Sequence, residues 1–318
     1  MPHTPKVVLF SDPIFLRHQT GGHPETPQRL VRVLARLERE GLVSLCRKGV
    51  FQPATEEQIG RVHAASVAQI AKETAEAGGG YLDADTVVSP ASFDVAKAAA
   101  GACIAAVDDV IGGPQKRALC LIRPPGHHAT PSHSMGFCFF NNVAIAAQHA
   151  RDVHGLSKIL IIDWDVHHGN GTQDIVFRDG GIAFLSIHRY GHGFYPGTGA
   201  ATETGSGPGQ GCIRNVPLAM GISRHDYREA FKTAVSGLAD QFRPELILLS
   251  AGFDAHAADP IGSLGLESED FEDLTRFLLD VAQTHAHGRL VSCLEGGYNL
   301  DALADCTRAH LEEMMHFH

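Results

Sequence analysis

The chain has 318 residues, 44% hydrophobic and 19% charged, which is enough apolar material for a folded core and excludes a disordered chain. Its formal net charge of −10 comes without a basic stripe, which argues against direct binding to nucleic acid. No apolar run reaches the roughly 18 residues of a membrane helix, and residues 1–6 lack the pattern of a secretion signal, so we predict a cytoplasmic protein with no membrane partner.

The cysteines are seven in number, scattered, and without a CxxC pair. This spacing predicts neither a disulfide framework nor a structural zinc ribbon. Most of them are expected to be reduced and buried as small hydrophobic residues.

Short, continuous apolar runs recur along the chain and are typical of strands buried on both faces of a parallel sheet. They lie, in chain order, at 7–10, 118–122, 159–162, 182–187, 246–249 and 290–294.

Apolar residues at helical spacing predict helices at 27–40, 92–111 and 269–286, the second of them capped by Ser92. The repeated strand–helix order predicts a single α/β domain over residues 1–318. The Gly-, Thr- and Ser-rich stretch 191–211 is expected to be a long surface loop.

Five of the predicted strands are followed by residues that titrate or form hydrogen bonds. The segments after them are 123–128, 163–170, His188, 250–254 and 295–298. Because parallel strands deliver their carboxyl ends to one edge of the sheet, where ligands bind, we expect these segments to form one site.

A zinc site is predicted at this edge. Asp163, Asp165 and His167 are spaced two apart, which places them on one side of an extended segment. Catalytic zinc usually has three protein ligands and an open position for water. Asp165 and His167 form a plausible local pair of ligands, and Asp254, after another strand, is the natural third.

Amide cleavage also needs groups that accept and donate protons. The tandem His127 and His128 can do both, with Asp163 and Asn170 as the partners that fix their tautomers. Tyr298 can donate a hydrogen bond to an oxyanion. Any one of these residues alone is more often a satisfied core or cap residue, so the prediction depends on their joint occurrence.

The assembled motifs resemble the histone deacetylase and acetylpolyamine amidohydrolase superfamily, and most closely class II histone deacetylases and their bacterial relatives. The matching segments cover nearly the whole chain and read GGHPETPQR, YLDADT, RPPGHHA, GFCFFNNVAIAA, DWDVHHGNGTQ, SIHRYG, FYPGTG, SAGFDAHAADPIG and EGGYN. The resemblance implies an arginase-like deacetylase fold in which helices sandwich an eight-stranded parallel sheet.

The resemblance also implies roles for the polar residues. Asp165, His167 and Asp254 bind one Zn²⁺ per chain, and Fe²⁺ is compatible with the same ligands. In the catalytic set, His128 is the general base, His127 its electrostatic or acid partner, and Tyr298 polarises the acyl carbonyl. Asp163 and Asn170 orient the two imidazoles.

The resemblance also implies which residues bind the substrate. Phe137 and Tyr195 match the aromatic walls of a tunnel for an acylated lysine or acetylated polyamine, Asp85 a rim carboxylate, and Gly136 a carbonyl that receives the amide hydrogen. The remaining residues are Ile261 and Gly297 for substrate binding and Arg29 for an internal channel. A structural K⁺ is implied at the main-chain oxygens of Asp163, Asp165, His167, Ser186 and Ile187. A homo-oligomer is compatible with the sequence.

Two residues depart from common patterns in this superfamily. Asn170 replaces the aspartate of class I enzymes, which predicts a less basic His128, and class II relatives share the asparagine. Tyr195 replaces the commoner phenylalanine and adds a hydroxyl to the tunnel wall.

Two other functions remain open from the sequence. A binuclear manganese ureohydrolase on the same fold needs further Asp ligands, and Asn170 with the tandem His127 and His128 argues against it. A non-enzymatic protein that binds acyl-lysine on a retired catalytic scaffold is the other, since fold alone does not prove function.

Overall fold

A computed structural model describes residues 5–191 and 193–317. Its strands are β1 (Val7–Phe10), β2 (Arg47–Lys48), β3 (Gly80–Tyr81), β4 (Val87–Val88), β5 (Arg117–Cys120), β6 (Ile159–Asp163), β7 (Ile182–Arg189), β8 (Ile213–Leu218), β9 (Leu246–Ala251) and β10 (Leu290–Leu294). Its α-helices are α1 (Gln28–Arg39), α2 (Leu42–Leu45), α3 (Glu56–Gly60), α4 (Ala65–Glu76), α5 (Ser92–Gly112), α6 (Asn142–His154), α7 (Asn170–Val176), α8 (Arg224–Phe242), α9 (Ser268–His285) and α10 (Leu300–His316).

Eight strands form one sheet in the order β2-β1-β5-β10-β9-β6-β7-β8, and every neighbouring pair is parallel. The remaining two, β3 and β4, form a small antiparallel pair. The eight-stranded parallel sheet implied by the sequence resemblance is therefore confirmed.

The central strands β1, β6, β9 and β10 are buried at every residue, whichever face the side chain points to. Helices therefore cover both faces of the sheet, as all-parallel sheets require. Among the helices, α5 packs against α6, and α1, α10, α9 and α8 pack against one another in series.

The edges of the sheet were not predicted. β2 consists of two charged residues, and β8 reads IRNVPL, with polar residues and a proline. An edge strand has one neighbour and a partly solvated side, so it lacks the continuous apolar run used to find the inner strands.

The prediction that Ser92 caps α5 was wrong. Ser92 is the first helical residue, Ala91 occupies the cap position, and no side chain caps the helix. The Ser92 hydroxyl is instead within hydrogen-bond distance of His18 Nδ1 (2.7 Å), and it accepts from the Ser89 backbone N–H. It joins the segment before α1 to the start of α5.

All seven cysteines are free, and five of them are buried, as predicted. None of the helices in the described residues is both long and apolar enough to cross a membrane. The single domain over 1–318 stays a prediction, and residues 1–4, 192 and 318 lie outside the described part of it.

Candidate active site

The strand register brings the predicted ligands together. Asp163, the last residue of β6, is paired with Ser250 of β9, so the segments that follow these strands leave the sheet side by side. Ligand atoms of Asp165, His167 and Asp254 all lie within 4.8 Å of one another, and all three residues are buried. His167 Nδ1 is 3.0 Å from Asp165 Oδ1 and 3.2 Å from Asp254 Oδ2.

Hydrogen bonds from the backbone satisfy some oxygens of these carboxylates and leave one of them without a donor. Asp165 Oδ2 accepts from the Gly296 N–H at 2.8 Å, and Asp254 Oδ1 accepts from the Val166 N–H at 2.8 Å. Asp254 Oδ2 is buried and accepts no hydrogen bond. A buried carboxylate oxygen without a donor is costly, and a bound metal ion satisfies it.

The electrostatics of the cluster also favour a bound cation. Burial alone lowers the pKa of His167, but the neighbouring carboxylates of Asp165 and Asp254 outweigh it and raise the pKa to about 10. Burial and the neighbouring Asp165 carboxylate raise the pKa of Asp254 to about 7. Two close carboxylates in a buried site attract positive charge, and their oxygens with an imidazole nitrogen are a ligand set that zinc accepts.

Two glycines leave space for the carboxylates of Asp165 and Asp254. A Cβ at Gly296 would lie 2.1 Å from Asp254 Oδ2 and 2.5 Å from Asp165 Oδ2. A Cβ at Gly252 would lie 2.1 Å from Asp165 Oδ2. No other residue type fits at either position without moving a carboxylate, so these glycines are required by the space around the oxygens rather than by backbone flexibility.

The tandem histidines lie beside the cluster with the predicted partners. His127 Nδ1 is 2.9 Å from Asp163 Oδ2, and His128 Nδ1 is 2.7 Å from Asn170 Oδ1. The Asn170 amide nitrogen faces Met135 Sδ, so the amide oxygen is directed at the imidazole. His128 therefore donates through Nδ1 and keeps the lone pair on Nε2.

Their environments give the two imidazoles opposite protonation. Burial lowers the pKa of His127, but the carboxylates of Asp163 and Asp165 outweigh it and raise the pKa well above its ordinary value. Burial and the charges of His127 and His167 hold the pKa of His128 well below its ordinary value. The two environments thus favour the charged form of His127 and the neutral form of His128, which can accept a proton.

Tyr298 is half-buried at the edge of the same site. Its backbone N–H donates to Asp259 Oδ2 at 2.7 Å, and its ring meets that of Phe137 edge to face at 5.8 Å. The Arg29 guanidinium lies 5.1 Å from the ring centre. Burial raises the pKa of the phenol well above its usual value, so the group stays protonated and can donate a hydrogen bond.

A cavity of about 140 Å³ opens onto these groups. It is lined by Asp85, His128, Gly136, Phe137, His167, Tyr195, Ile261 and Tyr298. All the predicted substrate residues except Gly297 are in this lining. The Gly297 carbonyl instead accepts from Arg29 Nε at 2.7 Å, directly behind Tyr298.

Sequence reasoning missed the residues that shape the cavity wall. Asp83 Oδ2 accepts from the Gly136 N–H at 3.2 Å, and Thr86 Oγ1 accepts from the Phe137 N–H at 3.0 Å. These bonds hold Phe137 at φ 70°, in the left-handed region that non-glycine residues rarely adopt. The YLDADT segment contains both residues, but the sequence resemblance indicates a role only for Asp85.

A buried set of charges behind the site was also missed. Glu295 Oε2 accepts from the N–H groups of Gly126 (2.7 Å) and His127 (3.2 Å), so it fixes the loop that carries the imidazoles. Glu25 bonds Arg123 through both oxygens, at 2.5 and 2.6 Å, and Arg29 at 3.0 Å. Arg29 is fully buried in this set, where its internal-channel role remains a prediction.

The predicted potassium site involves the same strands. Asp163 and Ser186 are register partners in β6 and β7, and both are buried. The main-chain site at Asp163, Asp165, His167, Ser186 and Ile187 stays a prediction.

Comparison with known proteins agrees with this geometry. A family model described as "Histone deacetylase domain" matches residues 23–314. The chain is 40% identical over 293 residues to the histone deacetylase-like amidohydrolase of Pseudomonas aeruginosa, covering 92% of this chain and 77% of that protein. It is 42% identical over 291 residues to the human polyamine deacetylase HDAC10, covering 88% of this chain and 43% of that protein. The solved HDA15 HD domain superposes with a TM-score of 0.93 at 36% identity, covering 98% of this chain and 88% of that one.

Proposed function

The chain belongs to the histone deacetylase family, and on that premise we propose that it is a zinc-dependent amidohydrolase that removes an acyl group from an amine. One observation supports this most strongly. Asp165, His167 and Asp254 converge within 4.8 Å, and Asp254 Oδ2 is buried without a hydrogen-bond donor. The zinc ion would be held by these three residues.

Zinc bound there would polarise the substrate carbonyl and make water a better nucleophile. The chain's own residues supply the proton transfers. His128, neutral and held through Nδ1 by Asn170, accepts the proton of the attacking water at Nε2. The Tyr298 phenol donates a hydrogen bond to the developing oxyanion. The histidine pair then protonates the departing amine, and the cationic His127 stabilises negative charge before that step.

The cavity favours a substrate with a slender aliphatic stem. Phe137, Tyr195 and Ile261 provide apolar surface along it, and its volume of about 140 Å³ excludes a bulky group beside the stem. Asp85 Oδ1 at the rim is buried without a hydrogen-bond partner, so it can accept from an N–H of the substrate. Acylated lysine in a peptide or protein and an acetylated polyamine both have such a stem and N–H groups.

The proposal is tested by kinetics on the purified, metal-quantified chain with acetyl-lysine peptides, longer acyl-lysine peptides and acetylated polyamines. Turnover that requires zinc is the expected result, and the ranking of kcat/KM identifies the substrate class. Absence of turnover on every acyl-amine would favour a binding protein, and about two manganese ions in the active chain would favour a ureohydrolase.

A further inference from the structure

A second group of metal-ligating side chains lies on the helices, away from the sheet edge. Asp108 belongs to α5, and His149 and His154 belong to α6. Their ligand atoms all lie within 4.8 Å of one another. The Nε2 atoms of His149 and His154 are each 2.7 Å from the same oxygen, Asp108 Oδ1.

The group is anchored on one side and open on the other. His149 is buried in the α5–α6 contact, His154 is half-buried at the last residue of α6, and Asp108 is exposed. The imidazole rings meet at an angle of 75° with centres 5.6 Å apart, so both nitrogens point at the carboxylate from different directions. A cation can therefore enter from solvent and meet three converging ligand atoms.

Neighbouring charged residues leave the Asp108 carboxylate available. Asp152, on α6 with the two histidines, pairs with Arg61 at 3.3 Å and accepts from Gln148 Nε2 at 2.8 Å. Burial raises the pKa of Asp108, but hydrogen bonds from His149 and His154 outweigh it and lower the pKa, so Asp108 is ionised. The imidazoles bond only its Oδ1, which leaves Oδ2 for a second interaction.

Two imidazole nitrogens and one carboxylate oxygen are the donor set of many sites for zinc and similar divalent ions. With bonds of roughly 2.0–2.1 Å, neighbouring ligand atoms in a tetrahedral zinc site are about 3.3 Å apart. The observed 2.7 Å separations need to widen by about half an ångström. Small rotations of the exposed Asp108 and the half-buried His154 provide this, and solvent supplies the remaining ligand.

We propose that Asp108, His149 and His154 bind a second divalent cation of the zinc type, distinct from the metal at Asp165, His167 and Asp254. This site would join the end of α6 to α5. The opposite end of α6 begins beside the catalytic loop, where Asn142 donates to the Pro124 carbonyl. The 13 residues of α6 span about 20 Å, and His149 and His154 lie in the half of the helix far from the catalytic loop, so the second ion would stabilise the helical layer without touching the reacting atoms.

The buried thiols of Cys103, Cys120 and Cys293 also lie within 4.8 Å of one another. They differ from the α5–α6 group because all three are fully buried in the apolar core. Metal binding needs thiolates, and burial raises the pKa of the Cys103 and Cys120 thiols well above the ordinary value, so deprotonating them in apolar surroundings is costly. The solvent-facing group with nitrogen and oxygen donors is the better cation site.

The test is a cobalt titration of the metal-free full-length chain, followed by visible absorption and by equilibrium dialysis. We expect two Co²⁺ per chain in the wild type and one in His154→Ala and Asp108→Asn. His225→Ala, which removes an exposed imidazole at the start of α8, should keep both ions. Zinc should raise the Tm of the wild type more than that of His154→Ala, because only the wild type binds the additional ion.

Deacetylase activity separates this inference from the proposed function. His154→Ala should lose one ion and keep its kcat, whereas Asp254→Ala should keep the α5–α6 ion and lose activity. Equal cobalt binding by the wild type, His154→Ala and Asp108→Asn would overturn the second site. Full activity of Asp254→Ala would overturn the proposed catalytic metal and leave the cobalt result at the second site intact.

Discussion

The imidazoles of His127 and His128 lie with ring centres 4.0 Å apart, yet their pKa values move in opposite directions. The difference comes from their partners, a carboxylate for His127 and a neutral amide for His128. Titratable neighbours with divergent environments are how one site holds an acid and a base at the same pH.

Replacing Asn170 by Asp should make His128 more basic. A carboxylate within hydrogen-bond distance favours the charged imidazole and raises its pKa by about 1 unit or more. The general base works only when neutral, so the acidic limb of the kcat/KM profile should move to higher pH by about 1 unit. Tyr298→Phe is the control, because it should lower the rate without moving that limb. An unchanged limb in Asn170→Asp would exclude His128 as the base.

Removing the Tyr298 hydroxyl should slow the chemical step. In the proposed mechanism the phenol donates to the oxyanion in the transition state, and loss of one such donor typically costs about 10² to 10³ in kcat. Tyr298→Phe should therefore lose about two to three orders of magnitude in kcat with its zinc content unchanged. Turnover close to that of the wild type would remove Tyr298 from the mechanism.

A methyl group at Gly296 should displace the metal ligands. The added carbon would lie 2.1 Å from Asp254 Oδ2 and 2.5 Å from Asp165 Oδ2, so at least one carboxylate must move. Gly296→Ala is expected to bind zinc at least about tenfold more weakly, as loss of correct ligand placement does in other metal sites. Gly237→Ala on α8, where no atom lies within 4 Å, is the matched control and should retain wild-type affinity. Equal zinc affinity in both variants would contradict the assigned ligand geometry.

Acid should destabilise the chain through His310. Burial lowers its pKa to about 3, and its nitrogens lie 2.6 Å from Thr275 Oγ1 and 2.9 Å from Ser292 Oγ. The unfolded chain takes up this proton near pH 6.5 and the folded chain does not, so the contribution is present above pH 6.5 and falls as pH drops towards 3. His310→Gln should flatten the loss in unfolding free energy between pH 7 and 5 by about 2 kcal/mol, as measured by urea unfolding. The same slope in wild type and variant would show that His310 is not the titrating group.

The sheet centre and the ligand triad could be predicted because local patterns specify them. Buried strands such as β6 are continuous apolar runs, and Asp165 and His167 follow one of them directly. The edge strand β8 lacks such a run, because its partial burial mixes apolar residues with Arg214 and Asn215. Its pairing with β7 depends on backbone bonds that composition does not encode.

The long-range hydrogen bonds that support the site were harder to predict from the sequence. The Thr86 hydroxyl bonds the Phe137 backbone 51 positions away, and Glu295 bonds the Gly126 backbone 169 positions away. The sequence around Thr86 and Glu295 does not indicate which distant backbone N–H each will bind. These partners depend on the tertiary fold.

The central claim, a catalytic metal at Asp165, His167 and Asp254, is tested most directly by hydrolysis of an acetyl-lysine peptide after chelation and after zinc is restored. The wild-type chain should lose activity when stripped and regain it with zinc, and Asp254→Ala should stay inactive with zinc present. Full activity in the stripped wild-type chain, or full recovery of Asp254→Ala, would contradict the claim.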